Sequence, residues 1–443
     1  GYFRFDNGDF FYPIGMNIRS PADSRQPYSY PFTQYKGMGT YAYDIYFRKM
    51  EQNRMNWCRI WLCSWWCGLE WRDDWASYGG IGYFNMKNAW RFDHILSSAE
   101  ERGIFLQVDT MNHGQLSIKI DREWQHNPYN RTLGGFLSKP EDYFTDTRAR
   151  KLHRNKLRYI VARWGYSTHI LSWMLLTEVE FTGEYFRTGY KNGDRPGSYP
   201  KTTAWHREMA RYLKEVDCWD HPVGTHFSHP QRGSDIWRIP EIDITESNVY
   251  TAFLNFPEFR LGRHGSGIAE AVDNYYHRIF RKYRKPVLIG EYGGHWSKNS
   301  ANLLDSELHC GIWASIMTPL AGNTGYWWWP HVHFRDLYGE YLSAALFMQG
   351  EDLSRLKLRR TSLRVSSKTG YVKALALKNR SGTVWAWIYD ARIITRHIKV
   401  QGGRPLEKYT RYFKNGITVE GAFLKIPPSV PGTYTLEFWN TYT

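Results

Sequence analysis

The sequence predicts an α/β chain, a (β/α)8 TIM barrel over residues 1–352 followed by a small antiparallel β-sandwich over residues 353–443. Three observations predict it. Eight strand-like apolar runs alternate with amphipathic helical stretches through the first 350 residues. Those runs are apolar throughout, as strands are when helices cover both faces of a parallel sheet. Past Asp352 the pattern changes to short alternating runs broken by turn residues, which suits a sandwich. A doubly wound open sheet is the alternative for the first part, but no GxGxxG follows an early strand.

The eight runs are 10–16 (FFYPIGM), 56–62 (NWCRIWL), 104–109 (IFLQVD), 170–176 (ILSWMLL), 222–227 (PVGTHF), 242–245 (IDIT), 286–290 (PVLIG) and 325–329 (GYWWW). Helical patterns cover 43–52, 89–102, 147–164, 203–216 and 269–283. In the second of these, Phe92, Ile95, Leu96 and Ala99 recur at helical spacing with Asp93, Ser97 and Glu100 between them. Insertions follow the second run (64–83, with Trp65, Trp66, Trp71 and Trp75), the third (112–143) and the fourth (183–200). In a barrel these loops lie on the C-terminal face, where sites are built. Their aromatics predict the walls of a sugar cleft, because flat apolar faces stack on pyranose rings. The sandwich strands are expected at 362–365, 371–377, 383–389, 397–400, 422–426 and 434–439, with turns such as Ser381-Gly382 and Asn415-Gly416 between them.

Composition narrows the function. The 443 residues hold 58 Lys and Arg against 43 Asp and Glu, a net charge of +15. Between Glu351 and Thr443 the counts are 17 and 6, so most of the excess lies in the last fifth of the chain. Such asymmetry predicts an anionic partner or a solvated surface. The basic residues are scattered along strands without a nucleic-acid motif, so nucleic acid is not the expected partner. The 21 Trp, 32 Tyr and 23 Phe exceed what core packing alone explains. No run approaches the ~18 apolar residues of a membrane span, so no membrane partner is expected. Five cysteines (Cys58, Cys63, Cys67, Cys218, Cys310) make no disulfide framework. They read as buried thiols, with pairing left open. His331-Val332-His333 invites a metal reading, but it follows the eighth run, and neither metal nor cofactor is expected. The opening GYFRFDNGDFFYPIG lacks the parts of a signal peptide.

Two carboxylates stand out. Glu178 follows the fourth run in LSWMLLTEVE, and Glu291 follows the seventh in KPVLIGEYGG. On a barrel both project from the C-terminal rim into one pocket. A carboxylate pair ~5–5.5 Å apart suits retaining glycoside hydrolysis, one member protonated to donate and the other ionised to attack.

These segments resemble the glycoside hydrolases of clan A, the barrel enzymes with an acid/base after strand 4 and a nucleophile after strand 7. The chain is most similar to the cellulase-like and apiosidase-like branches. KLRYIVARWGYSTHILSWMLLTEVE resembles their approach to strand 4, RKPVLIGEYGG their strand 7 and RMNWCRIWL their strand 2. PGTYTLEFWNTYT resembles the end of the sandwich often appended to such barrels. The resemblance implies that Glu178 is the acid/base, Glu291 the nucleophile and Arg59 the nucleophile's support. It implies a sugar platform among Trp327, Trp328 and Trp329, where alternation pairs Trp327 with Trp329. Glu180 takes the place of a supporting acid. Two positions depart from the pattern. Thr177 replaces the usual Asn before the acid/base, offering one hydroxyl for an amide, and Asn248-Val249-Tyr250 replaces a common His-x-Tyr on strand 6. Tyr250 can still donate to Glu291. Asn17, His113 and Trp296 complete the expected substrate-binding set. Arg19, Asn112, His226 and His229 are expected to be structural.

The expected function is therefore retaining β-glycoside hydrolysis of a polysaccharide or oligosaccharide, outside the cytoplasm (secreted, periplasmic or cell-surface). The basic C-terminal segment and Thr177 predict a polymer bearing carboxylate or sulfate groups. The alternative is a non-catalytic carbohydrate-binding protein on a glycosidase-like barrel.

Overall fold

The structure, a computed structural model, describes residues 1–23, 32–188, 199–251, 267–294, 301–368, 372–390, 400–401, 404–405, 421–426 and 431–442. Its centre is a closed parallel barrel. Strand β1 (Gly15–Asn17) pairs with β2 (Trp57–Trp61), β2 with β3 (Phe105–Asp109) and β3 with β4 (Ile170–Met174). The fifth strand, β5, comes in two pieces. Val223–Gly224 pairs with β4, and His226–Phe227 pairs with β6 (Thr245–Val249), which pairs with β7 (Val287–Tyr292). Tyr326 closes the ring, bridged in parallel to Met16 on one side and Tyr292 on the other.

The helices come from periodic apolar faces with ordinary caps. Helix Thr147–Trp164 starts where the Asp146 carboxylate accepts from the Ala149 N–H at 2.9 Å. Helix Met86–Glu100 starts at Asn85, whose side chain accepts from Asn88 N, and buries Phe92, Ile95, Leu96 and Ala99 as the spacing predicts. Helix Pro200–Val216 opens on proline, and Ile268–Arg278 and Ala301–Ile316 follow β6 and β7. Below the barrel, a short hairpin (Phe3–Arg4 with Phe10–Phe11) packs Phe3 and Phe11 against Trp57, Leu171, Ile244 and Leu288, closing the N-terminal end with apolar surface.

Some expected elements move. The sixth strand is not 242–245 but Thr245–Val249, TESNV, because its lumen-facing positions are polar and an apolar run does not mark them. The eighth run contributes only the Tyr326 bridge, and Trp329 opens a helix, Trp329–Phe334, with Pro330 in its first turn. Past Leu356 the sheets become antiparallel. Arg359–Thr361, Val372–Lys378 and Val384–Asp390 form one sheet, and Arg364–Ser366 pairs with Phe423–Lys425. Residues 434–439 form no strand. Most of the expected strand 397–400 lies outside the described residues. The three-stranded sheet rests on the barrel's helices. Leu375, Leu377, Trp387 and Tyr389 join the main core, and Arg360 pairs with Asp273 at 2.6 Å.

Candidate active site

Two local features aim the glutamates. On β7, Ile289 pairs with Ser247 and Tyr292 with Val249, so Gly290 and Glu291 together face the single residue Asn248. This bulge turns Glu291 into the lumen. Gly290 is needed for space: a Cβ there would strike the Glu246 carboxylate and the His226 ring. Glu178, four residues past the end of β4, takes a left-handed conformation (φ 38°, ψ 56°), which costs a non-glycine residue of order 1 kcal/mol.

One chain of hydrogen bonds fixes both carboxylates. The Glu178 backbone N–H donates to His226 Nδ1 at 3.1 Å. That nitrogen accepts, so the ring proton sits on Nε2, which donates to Asn248 Oδ1. Burial, with Arg59 nearby, drives the His226 pKa well below its ordinary value and keeps the ring neutral. With Oδ1 taken, the Asn248 amide nitrogen faces the lumen. It donates to Glu178 Oε1 at 2.9 Å and to Glu291 Oε2 at 3.1 Å. Two hydrogens meet two acceptors, and those oxygens lie at most about 6 Å apart, a limit to compare with carboxylate separations in glycosidases.

Glu291 is buried and has three donors: Arg59 Nη1 on Oε1 (2.9 Å), and Tyr250 OH (2.9 Å) and Asn248 on Oε2. Arg59 is fully buried and also donates through Nε to Asp109 (2.7 Å) and through Nη1 to Asn17 Oδ1 (3.2 Å). Glu246 stands 3.8 Å from Arg59 Nε and accepts from the Gln107 amide. Three carboxylates thus surround one guanidinium. Burial, with Asp109 and Glu291 nearby, pushes Glu246 up to about 8, and burial pushes Asp109 up to about 6.

Glu178 keeps 14% of its side chain exposed. Burial pushes its carboxyl up to about 8, with Glu291, Glu180 and Asp121 adding and His113 opposing. His113 Nε2 lies 3.5 Å from Glu178 Oε2 and 3.2 Å from Asp121. Burial lowers the His113 pKa, but Glu178, Asp121 and Glu123 outweigh it and raise it to about 9.

The remaining expected residues divide by what holds them. Tyr250 and Asn248 face the glutamates. The Asn17 amide is committed to the barrel, donating to the carbonyls of Gly290 and Gly325 at 2.9 Å. Thr177 is fully buried, and its hydroxyl oxygen accepts from the His113 N–H at 3.0 Å with the His113 ring 2.9 Å away. Trp327 and Trp329 do pair (5.9 Å between centroids), while Trp328 turns away and donates to Gly293 O. Trp329 is fully buried. Trp296 lies outside the described residues. Of the loop tryptophans, Trp66 stacks on Tyr43, Trp71 is buried and Trp75 packs edge-on against it, so these three serve loop packing, while Trp65 is exposed and meets Trp61 at 6.5 Å. The five cysteines are unpaired. His331 and His333 part company, to Asp305 and to Tyr35 and Tyr338. Among the described residues no group of His, Cys, Asp and Glu could hold a metal. Sequence reasoning passed over Asp109 and Glu246 and gave His226 only a structural part. The signal was present in the lumen-facing alternation Glu246, Asn248, Tyr250.

No family model matches the chain. It is 24% identical to a probable mannan endo-1,4-β-mannosidase A of Aspergillus flavus over 223 residues, 46% of this chain and 49% of that one. An endo-1,4-β-mannanase from Rhizomucor miehei superposes with a TM-score of 0.50 at 17% identity, over 74% of this chain and 88% of that one. The endo-β-1,4-mannanase from Thermotoga petrophila does so with a TM-score of 0.50 at 15% identity, over 87% and 92%. The chain is similar to the barrel glycosidases of clan A. It spans about half the length of the curated relatives it matches. The likeness agrees with the closed parallel barrel.

Proposed function

We propose that the chain is a retaining β-glycoside hydrolase acting on a polysaccharide or oligosaccharide, with Glu178 as acid/base and Glu291 as nucleophile. The observation that carries this reading is the single Asn248 nitrogen bonded to both carboxylates. The two bonds bring one oxygen of each carboxylate within about 6 Å of the other, which favours the close spacing of a retaining pair over the wider ≈ 6.5–9.5 Å of an inverting one. The electrostatics agree in direction. Burial holds the Glu178 carboxyl up at about 8, while Glu291 accepts from a guanidinium and two neutral donors.

In the first step Glu291 attacks the anomeric carbon while the Glu178 proton passes to the leaving oxygen, giving a glycosyl ester on Glu291. In the second, Glu178, now ionised, takes a proton from water as that water attacks the same carbon and frees Glu291. Arg59, Tyr250 and Asn248 receive the charge that returns to Glu291.

The relatives' names make a β-1,4-mannan backbone the first substrate class to try. The charge of the C-terminal segment favours a polymer that carries acidic groups, and faster cleavage of neutral mannans and glucans than of every acidic glycan tried would reject that part. The test is hydrolysis with anomer analysis of the first product by NMR, on the parent and on Glu291→Gln and Glu178→Gln. Retained configuration is expected, with turnover lower by about 100-fold or more in each variant and parent activity falling as pH rises through about 8. Near-parent turnover in either variant would refute the roles. Glycan binding without turnover in the parent would favour the non-catalytic reading.

A further inference from the structure

Arg19 lies just past β1, at the C-terminal end of the barrel, and it is caged. Its guanidinium carbon is 4.6 Å from the ring centre of Trp65, 5.1 Å from Trp327, 5.6 Å from Trp61 and 5.8 Å from Trp329. These side chains come from three places: the end of β2, the loop after it, and the segment that closes the barrel. Nothing in the proposed chemistry uses Arg19.

The cage adjoins the glutamates. The Arg59 guanidinium carbon lies 5.6 Å from the same Trp61 ring, and Trp61 also meets His113 at 6.2 Å. Two guanidinium groups thus share one indole, and one of them holds Glu291. Arg19 is therefore within the span of a short oligosaccharide from the bond to be cleaved.

Its charge is only partly used. Nη2 donates to Asp23 at 2.8 Å. Nε is buried without a hydrogen-bond partner. The Arg19 side chain keeps 13% exposure, and Trp65, which lies closest over it, is 42% exposed, so the cage opens to solvent on the Trp65 side. A guanidinium with a free nitrogen, set among apolar faces, pairs with a carboxylate or sulfate far better than an ammonium in water does. The exposed Trp65 indole beside it can stack on the ring that carries the anion.

We propose that Arg19 and its tryptophan cage form an anion-reading subsite, which takes an acidic substituent, carboxylate or sulfate ester, on a sugar unit near the cleavage point. This deepens the glycosidase reading and rests on it for the identity of the ligand as a glycan.

Binding separates the two ideas. Titration calorimetry is run on Glu291→Gln, with and without Arg19→Gln or Arg19→Lys, using a uronic-acid oligosaccharide, its carboxyl-reduced neutral counterpart and a sulfated form of the latter. The expected result is that Arg19→Gln lowers the acid-to-neutral affinity ratio about 10- to 100-fold, while Arg19→Lys, which keeps the charge but not the planar stacked fork, lowers it less. Whichever anionic ligand shows the larger drop identifies the source of the charge. An unchanged ratio in Arg19→Gln, or no preference for either anion when Arg19 is present, overturns the proposal. That result leaves the glycosidase reading intact if Glu291→Gln abolishes turnover. Persistent turnover in Glu291→Gln overturns the roles of the glutamates and leaves the anion ratio to decide Arg19 alone.

Discussion

At the scale of single residues, the two glutamates are legible in sequence because each ends an apolar strand. Their precise setting is not legible. The His226 role depends on which nitrogen carries the proton, and that follows from a backbone N–H on β4's exit loop and an amide on β6. Asn248 looks like a departure from a His-x-Tyr pattern, yet it can serve both carboxylates because an amide nitrogen has two hydrogens to give. That reading makes Asn248→Asp informative. The substitution is nearly isosteric but replaces the shared donor with a third carboxylate between Glu178 and Glu291. Like charge nearby disfavours ionisation of Glu178, so the alkaline limb of the pH–rate profile should move above its parent position near pH 8. Misplacement of the pair should lower kcat by about 100-fold. Steady-state kinetics across pH 5–10 test both, and an unmoved alkaline limb would leave Asn248 with only a packing role.

At the scale of elements, what periodicity and caps encode is recovered well, and what the lumen encodes is not. Helix Thr147–Trp164 falls where its pattern puts it, since an Asp cap and a repeating apolar face define both ends. Strand β6 does not, because a barrel interior lined by Glu246 and Asn248 breaks the equation of buried with apolar. The closing strand is reduced to Tyr326 because the Trp-Trp-Trp run gives way to a proline-started helix. The sandwich end at 434–439 is apolar in composition but forms no ladder. The Asp146 cap permits a clean measurement. Asp146→Ala removes the acceptor for Ala149 N–H and should cost about 1 kcal/mol in urea unfolding without changing the slope. Since the helix leads into β4 and Glu178, activity per folded molecule should stay at the parent value, and a large loss of activity in the folded variant would mean that the cap also sets the site.

At the scale of the whole molecule, the barrel interior concentrates protons that an unfolded chain would release. Glu178 and Glu246 are held near 8 instead of 4.5, and His113 near 9 instead of 6.5. For each buried carboxyl, the folded chain binds a proton that the unfolded chain has lost once pH passes about 4.5, so stability falls with rising pH until the folded group also ionises near 8. For His113 the stabilisation is complete below 6.5 and is lost as pH rises through about 9. Glu246 and the interacting Glu178–His113 pair, which titrates as a unit, therefore predict a Tm that falls between pH 7 and 9. The net charge of +15 acts in the opposite direction, since raising pH relieves positive self-repulsion. A single variant separates the two. Glu246→Gln imitates the protonated carboxyl, keeps an oxygen for Gln107 and removes one of the three carboxylates around Arg59, while barely changing the long-range field. Stability measured by denaturant titration should fall less steeply with pH in Glu246→Gln than in the parent, by up to about 1.4 kcal/mol per pH unit below pH 8. The variant should be the more stable of the two at pH 8. Parallel pH profiles would mean that Glu246 is ionised in the fold and that Arg59 balances three negative charges.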